Sequence, residues 1–209
     1  MMSLFFEVEI KPGRTEQYLQ LAASLRPELD ALGGCLFLDR FKSLSRDNLL
    51  LSYQIWQDEG ALTAWRAHGH HHEVQTLGRD QVFSDYRIRV AQVIHEARRD
   101  RPVWQPERRT AYNDPQRRPP TYVLVTETSG ARLPIATDMP VGSFASVYRE
   151  GRFAHLIELE DDASGLALSP RLLADPATEY VRIVEVTRDY GMYNRREAPQ
   201  YYPPKAPNA

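Results

Sequence analysis

Between residues 4 and 94 the spacing of apolar side chains switches back and forth between two residues and about 3.6, and the order of those periods restricts the fold more than any single motif does. The first run, 4–10, sets Leu4, Phe6, Val8 and Ile10 against Phe5, Glu7 and Glu9, the alternation of a strand with one buried face. Lys11-Pro12-Gly13 ends it, and from Arg14 the apolar residues recur at Tyr18, Leu21, Ala22, Leu25, Leu29 and Leu32, a helical stripe. Pro27 lies inside the stripe and predicts a kink, while Gly33-Gly34 predicts its end, since glycine accepts the positive φ that closes a helix. Strand periods return over 36–43 and 49–56, joined by the polar 44–48. Asp58 suits the N-cap of a helix that carries Ala61, Leu62 and Trp65 inward and restarts beyond His68-Gly69 through Val74 and Leu77 to Gly78. A long strand over 83–94 completes the series.

The order β-α-β-β-α-β predicts an α+β fold of the ferredoxin-like kind, an antiparallel sheet with helices on one face. Beyond it the chain turns rich in proline and arginine and poor in aliphatic residues, the composition of a linker or an arm. Strand periods resume over 122–128, 143–150, 153–160 and 180–188, with a turn at Glu150-Gly151-Arg152 and a helix-like stretch over 166–174. Ile88-Arg89-Val90-Ala91-Gln92-Val93 lines up with Val181-Arg182-Ile183-Val184-Glu185-Val186 at an offset of 93 residues. The expected organisation is therefore a ferredoxin-like domain over 1–96, a linker over 97–120, and a degenerate ferredoxin-like repeat with a C-terminal tail over 121–209. Segment 129–142 contains Gly130, Pro134, Pro140 and Gly142 without an apolar stripe, so the repeat is expected to lack its first helix and to need another cover for one sheet face.

The 209 residues are 42% hydrophobic and 26% charged, enough apolar material for a core, which excludes disorder as the main state. Twenty-six Lys and Arg against 28 Asp and Glu leave a formal charge of -2, no global field for nucleic acid or an anionic membrane. The arginines over 97–120 are interleaved with acidic residues and not with an aromatic ladder, so no nucleic-acid partner is expected. No apolar run approaches the roughly 18 residues that span a bilayer, and the start, Met-Met-Ser-Leu-Phe-Phe-Glu, has no basic region of a secretory signal. A single cysteine, Cys35, fits a reducing, cytoplasmic compartment and reads as a buried strand residue. No phosphate-binding loop, nucleophile elbow or HExxH motif is present.

Residues 4–94 resemble the antibiotic biosynthesis monooxygenase domain, a family of dimeric α+β barrels. The resemblance is carried by Leu25-Arg26-Pro27-Glu28-Leu29 before Gly33-Gly34, Arg40-Phe41-Lys42-Ser43-Leu44, Ser52-Tyr53-Gln54-Ile55-Trp56, Ala64-Trp65-Arg66, His68, His71, Gln75, Gly78-Arg79 and Asp85-Tyr86-Arg87-Ile88-Arg89-Val90, in this order and spacing. The tail Arg188-Asp189-Tyr190-Gly191-Met192 to Glu197-Ala198-Pro199 looks like the stretch after the last strand of single-domain members. The resemblance implies a ligand cavity between sheet and helices, and two such units packed sheet to sheet, either within this chain as a pseudo-dimer or between two copies as a homodimer. It implies oxidation of a small aromatic or polyketide-like molecule by dioxygen with no cofactor. Quinone-forming members carry an asparagine where this chain has Ser52; haem-degrading relatives carry an asparagine and a histidine where it has Phe6 and Gln75, so haem degradation is not expected.

Such chemistry needs a base, apolar ring walls and an anion stabiliser. His68 and His71 are the candidate bases, since imidazole titrates near neutrality. Tyr53 is the candidate hydrogen-bond donor, Trp56 and Trp65 the ring walls, Ser52 a further substrate contact, and Arg87 or Arg89 the holder of a developing oxyanion. Each has a plainer explanation: an inward indole is simple core, and His68, His70, His71 and His72 are the solvated end of a helix, so no metal is expected. His155 reads as a satisfied core histidine. A rival function keeps the fold and cavity for non-catalytic small-molecule binding or a stress response.

Overall fold

A computed structural model describes residues 1–107, 120–199 and 202. The chain runs β1 (Met2–Ile10), α1 (Thr15–Ser24), α2 (Arg26–Leu32), β2 (Cys35–Ser43), β3 (Leu49–Trp56), α3 (Glu59–Arg66), α4 (Gly69–Leu77), a π-helical turn (Gly78–Val82) and β4 (Phe83–Arg98). A short β5 (Arg101–Trp104) follows, then β6 (Thr121–Thr128), β7 (Val141–Ser146), β8 (Phe153–Leu159), α5 (Asp162–Leu173) and β9 (Thr178–Gly191). Local chemistry explains the breaks. Pro27 has no N–H to continue α1 and sits in the first turn of α2, so the expected kink is a full interruption at Leu25. Gly33 and Gly34 both have positive φ, and a Cβ on Gly34 would meet Ala61 Cβ at 2.6 Å, so the turn into β2 requires glycine there. Asp58 caps α3 by accepting a 2.8 Å bond from the Ala61 N–H.

The strands form one antiparallel sheet in the order β1-β3-β2-β7-β8-β6-β9-β4-β5, and β1 also pairs with β4. That last pairing closes the sheet into a barrel, with β5 as an appendage on β4. The first half contributes β4-β1-β3-β2 and the second β9-β6-β8-β7, the same relative order twice. The halves meet at β4–β9, where eleven residue pairs run from Arg87↔Gly191 to Arg98↔Tyr180, and at the shorter β2–β7 seam. The expected separation at residue 97 is therefore not a structural boundary: β4 continues to Arg98, and β5 lies in what was expected to be linker. The remainder of that stretch, 108–119, falls outside the described residues.

Odd positions on β1, β3 and β4 face the barrel interior, which Phe5, Leu51, Tyr53 and Val93 fill together with Val123, Val125, Leu156 and Val184 of the second half. Ion pairs cap this core. Arg89 takes Glu7 at 2.7 Å and Glu158 at 2.5 Å. Its counterpart under the 93-residue offset, Arg182, pairs with Glu96 and reaches the Tyr53 hydroxyl at 3.3 Å. Arg149 bridges the halves, bidentate to Glu127 at 2.7 and 2.8 Å and to Asp39 Oδ2 at 2.6 Å. On the outer faces, α1–α4 cover the first half and α5 the second. As expected, 129–140 contains no helix; Leu133, Ile135 and Met139 cover the sheet face that helix would have covered. His155 is fully buried and satisfied, its ring nitrogens 2.9 Å from Ser143 Oγ and 3.0 Å from Thr128 Oγ1.

Candidate active site

Even positions on the first-half strands point away from the barrel and build the floor of a cavity beneath α1–α4. The register places Arg40, Ser52, Phe6, Ile88 and Tyr190 side by side across five strands, with Leu38, Gln54, Leu4 and Val90 in the next row. Tyr18, Leu21, Leu25, Leu29, Leu62, Trp65 and His71 form the walls, and the tail after β9 closes one side with Arg195, Pro199 and Tyr202. The volume is ≈190 Å³ and the lining is mostly apolar. An apolar cavity of roughly 150 Å³ already accepts benzene, so a substituted ring fits.

Two polar arrangements face this space. His71 lies flat against Trp65, ring centroids 4.4 Å apart at 17°, with Nδ1 2.8 Å from the Trp65 carbonyl. A carbonyl only accepts, so Nδ1 carries the proton and Nε2 keeps the lone pair. Burial, with the neighbouring His68, His72 and His70 adding to it, lowers the His71 pKa to about 4, so the ring is neutral at physiological pH. On the floor, Trp56 Nε1 donates to Gln54 Oε1 at 2.9 Å and Gln54 Nε2 donates to Ser52 Oγ at 3.1 Å, which leaves the Ser52 hydroxyl proton for another acceptor.

At the other end of the cavity, Tyr86 accepts hydrogen bonds from Arg79 Nη1 at 2.8 Å and Arg195 Nη1 at 2.9 Å. The tail reaches that point because Met192 N–H donates to the Tyr86 carbonyl at 3.1 Å, and because Gly191 has no side chain: a Cβ there would lie 2.7 Å from the same carbonyl. Tyr202 stacks on His72 at 5.2 Å and lies 2.8 Å from Thr76 Oγ1. The second half thus supplies part of the enclosure of the first-half cavity.

The profile of the family described as antibiotic biosynthesis monooxygenase matches residues 1–77. Over 98% of this chain and 99% of the relative, the sequence is 34% identical to a protein of Pyricularia oryzae named jasmonate monooxygenase. The chain belongs to the antibiotic biosynthesis monooxygenase family. A crystal structure of an antibiotic biosynthesis monooxygenase is 21% identical with a TM-score of 0.40, covering 44% of this chain and 97% of that one. A conserved protein from Methanosarcina mazei Go1 gives 21% identity and a TM-score of 0.40 over 43% of this chain and 88% of its own.

Within that family frame, the residues expected at the site divide by strand parity. His71, Trp65 and Ser52 line the cavity together. Tyr53 does not: it lies between Ser52 and Gln54, so alternation turns it into the barrel, where it is fully buried and stacks on Phe5 at 5.1 Å. Burial raises the pKa of its hydroxyl, which Arg182 approaches. Arg87 and Arg89 are corrected on the same ground, as odd positions on β4. Arg89 is committed to Glu7 and Glu158, and Arg87 makes a bidentate pair with Asp189 at 3.0 and 2.6 Å. Trp56 has the right parity but lies fully buried behind the floor against Leu25, Leu29 and Trp65, so it orients Gln54 and does not form a wall. His68 stacks on Trp65 at 5.6 Å with Nδ1 3.5 Å from Glu28, outside the lining. Sequence reasoning missed Gln54, Arg79, Tyr86, Arg195 and Tyr202. Parity alone would have picked out Gln54 and Tyr86; the tail residues have no local signal. No helix among the described residues is long and apolar enough to cross a membrane.

Proposed function

We propose that this chain is a monooxygenase that oxidises a small cyclic organic molecule, a phenol or an enolisable ketone of aromatic or polyketide type, in the first-half cavity and without a bound cofactor. The observation that carries the reading is His71: a neutral imidazole with its lone-pair nitrogen fixed by the Trp65 carbonyl, on the wall of an apolar space of ring size. Nε2 accepts the proton of the acidic O–H or C–H, and the resulting anion supplies the electrons that reduce dioxygen. For a ring CH₂ the balance is CH₂ plus O₂ giving C=O plus H₂O, with no external reductant. An imidazole whose conjugate acid has a pKa of about 4 is a weak base in the empty cavity. Each pKa unit between base and substrate is about 1.4 kcal/mol, so the pair becomes competent as the substrate anion raises the His71 pKa through its own charge. In this reading the Ser52 hydroxyl donates to the developing oxyanion, a role supported by the bonds that Gln54 and Trp56 make behind it. The family and the relative named for jasmonate oxidation support oxygen chemistry on a small molecule.

The test is oxygen uptake with product mass, using a panel of anthrones, hydroxynaphthoquinones and jasmonate. Uptake above the protein-free background that falls by about 10²-fold or more in His71→Asn supports the reading. Binding without uptake across the panel, unaffected by His71→Asn, returns the protein to a non-catalytic binding role.

A further inference from the structure

We propose that the Tyr86 hydroxyl, backed by the guanidinium groups of Arg79 and Arg195, is the anion-binding pole of the cavity and holds the carboxylate of a small organic acid whose apolar body extends toward Trp65. The inference rests on the preceding reading only in taking this cavity as the substrate site; it adds the charge and orientation of the guest.

The charged side chains that line the cavity are Arg26, Arg40, Arg66, Arg79 and Arg195, of which Arg26 is paired with Asp30 at 2.9 Å, and no aspartate or glutamate is among the described lining residues. In an apolar enclosure a field of one sign selects the charge of the guest more strongly than it would in water. The field is concentrated at Tyr86. Its oxygen accepts two charge-assisted bonds, from Arg79 Nη1 and Arg195 Nη1, so the phenol proton remains to be donated. The other oxygens bonded by Arg195 are the main-chain carbonyls of Tyr202, Gly191 and Pro199, all neutral, which leaves its charge available to an anion. Arg79 and Tyr86 are 5% and 8% exposed, so a carboxylate docked there is screened from solvent.

The apolar end lies the other way along β4. Tyr86 belongs to the cluster with Val8, Val82 and Phe83, whereas Trp65 belongs to the cluster with Leu25, Leu29 and Val90. Val90 is four residues beyond Tyr86, about 13 Å along the strand. A guest with its carboxylate on Tyr86 therefore lays its ring toward Trp65 and the neutral His71, so one end of the cavity binds charge while the other carries the base. The pole is assembled from both halves of the chain, Arg79 and Tyr86 from the first and Arg195 from the tail of the second.

The experiment compares jasmonic acid and hydrocinnamic acid, each with its own primary amide, by isothermal titration of the full chain near neutral pH. The amide keeps the shape and removes the charge. At least one acid is expected to bind about tenfold or more tightly than its amide, and Tyr86→Phe is expected to bring the two within about twofold while amide affinity holds. Equal binding of acid and amide, no binding of either pair, or an acid preference intact in Tyr86→Phe overturns the assignment. The wild-type ratio decides even if the variant does not fold. Acid preference without oxygen uptake keeps the pole and removes the monooxygenase reading; turnover of neutral substrates without acid preference does the reverse.

Discussion

Holding His71 neutral has a consequence for stability that can be measured without knowing the substrate. Its pKa is about 4 in the folded chain against an ordinary 6.5, and burial is the main cause. Above pH 6.5 the ring is neutral in both states and contributes no pH dependence. As pH falls below that value the unfolded chain takes up a proton that the folded chain refuses, so stability drops until the folded ring also protonates near pH 4. The loss attributable to this one ring is about 2 kcal/mol near pH 5 and about 3 kcal/mol in total. His95 and His155 are also lowered by burial and add to the background, so the quantity to compare is the difference between the wild type and His71→Asn. Urea unfolding near pH 7 and pH 5 gives it directly: the variant should lose about 2 kcal/mol less than the wild type over that interval. Equal losses would mean that His71 titrates as an exposed imidazole, and the geometry of the cavity wall would be wrong.

Other consequences concern the floor and the barrel. Trp56→Phe strands the buried Gln54 Oε1 and should destabilise by about 1–3 kcal/mol in urea unfolding, with a lower turnover rate because Ser52 loses its orientation. Arg149→Met leaves the buried carboxylates of Asp39 and Glu127 without their shared cation, and should cost about 3–5 kcal/mol in urea unfolding near neutrality. Because β4–β9 and β2–β7 join the halves, a chain cut by an engineered protease site within 108–119 should elute as one species under native conditions; separation into a folded, dimeric first half would contradict the barrel topology.

The first-half elements were legible in the sequence because hydrophobic period and breakers agreed, with a side-chain cap at Asp58 before α3 and glycines at Gly33-Gly34 before β2; the break between α1 and α2, which no side chain caps, was legible only as a kink at Pro27. Arg89 and Arg182, which the 93-residue offset aligns, both serve as interior cations of the barrel. Chemistry was less legible than fold. Residue type points to Tyr53, Arg87 and Arg89 as active-site groups, but on a strand the neighbour of a cavity residue faces the opposite way: Tyr53 and Arg89 enter the dry interior of the closed barrel, and Arg87 pairs with Asp189 at its exposed rim. A cover for the sheet face beside 129–140 was expected, but the residues that form it were not legible, because three separated apolar residues, Leu133, Ile135 and Met139, suffice without a helical period. Arg195 and Tyr202 were beyond reach because their contacts with Tyr86, Thr76 and His72 span more than a hundred residues.

A crystal structure of the chain soaked with a hydroxynaphthoquinone tests the central claim most directly. Density for the ring beneath α1–α4, against Trp65 and within hydrogen-bonding distance of His71 Nε2, is the result the account predicts. An empty cavity with the ring seated elsewhere, on the barrel ends or over α5, would contradict it.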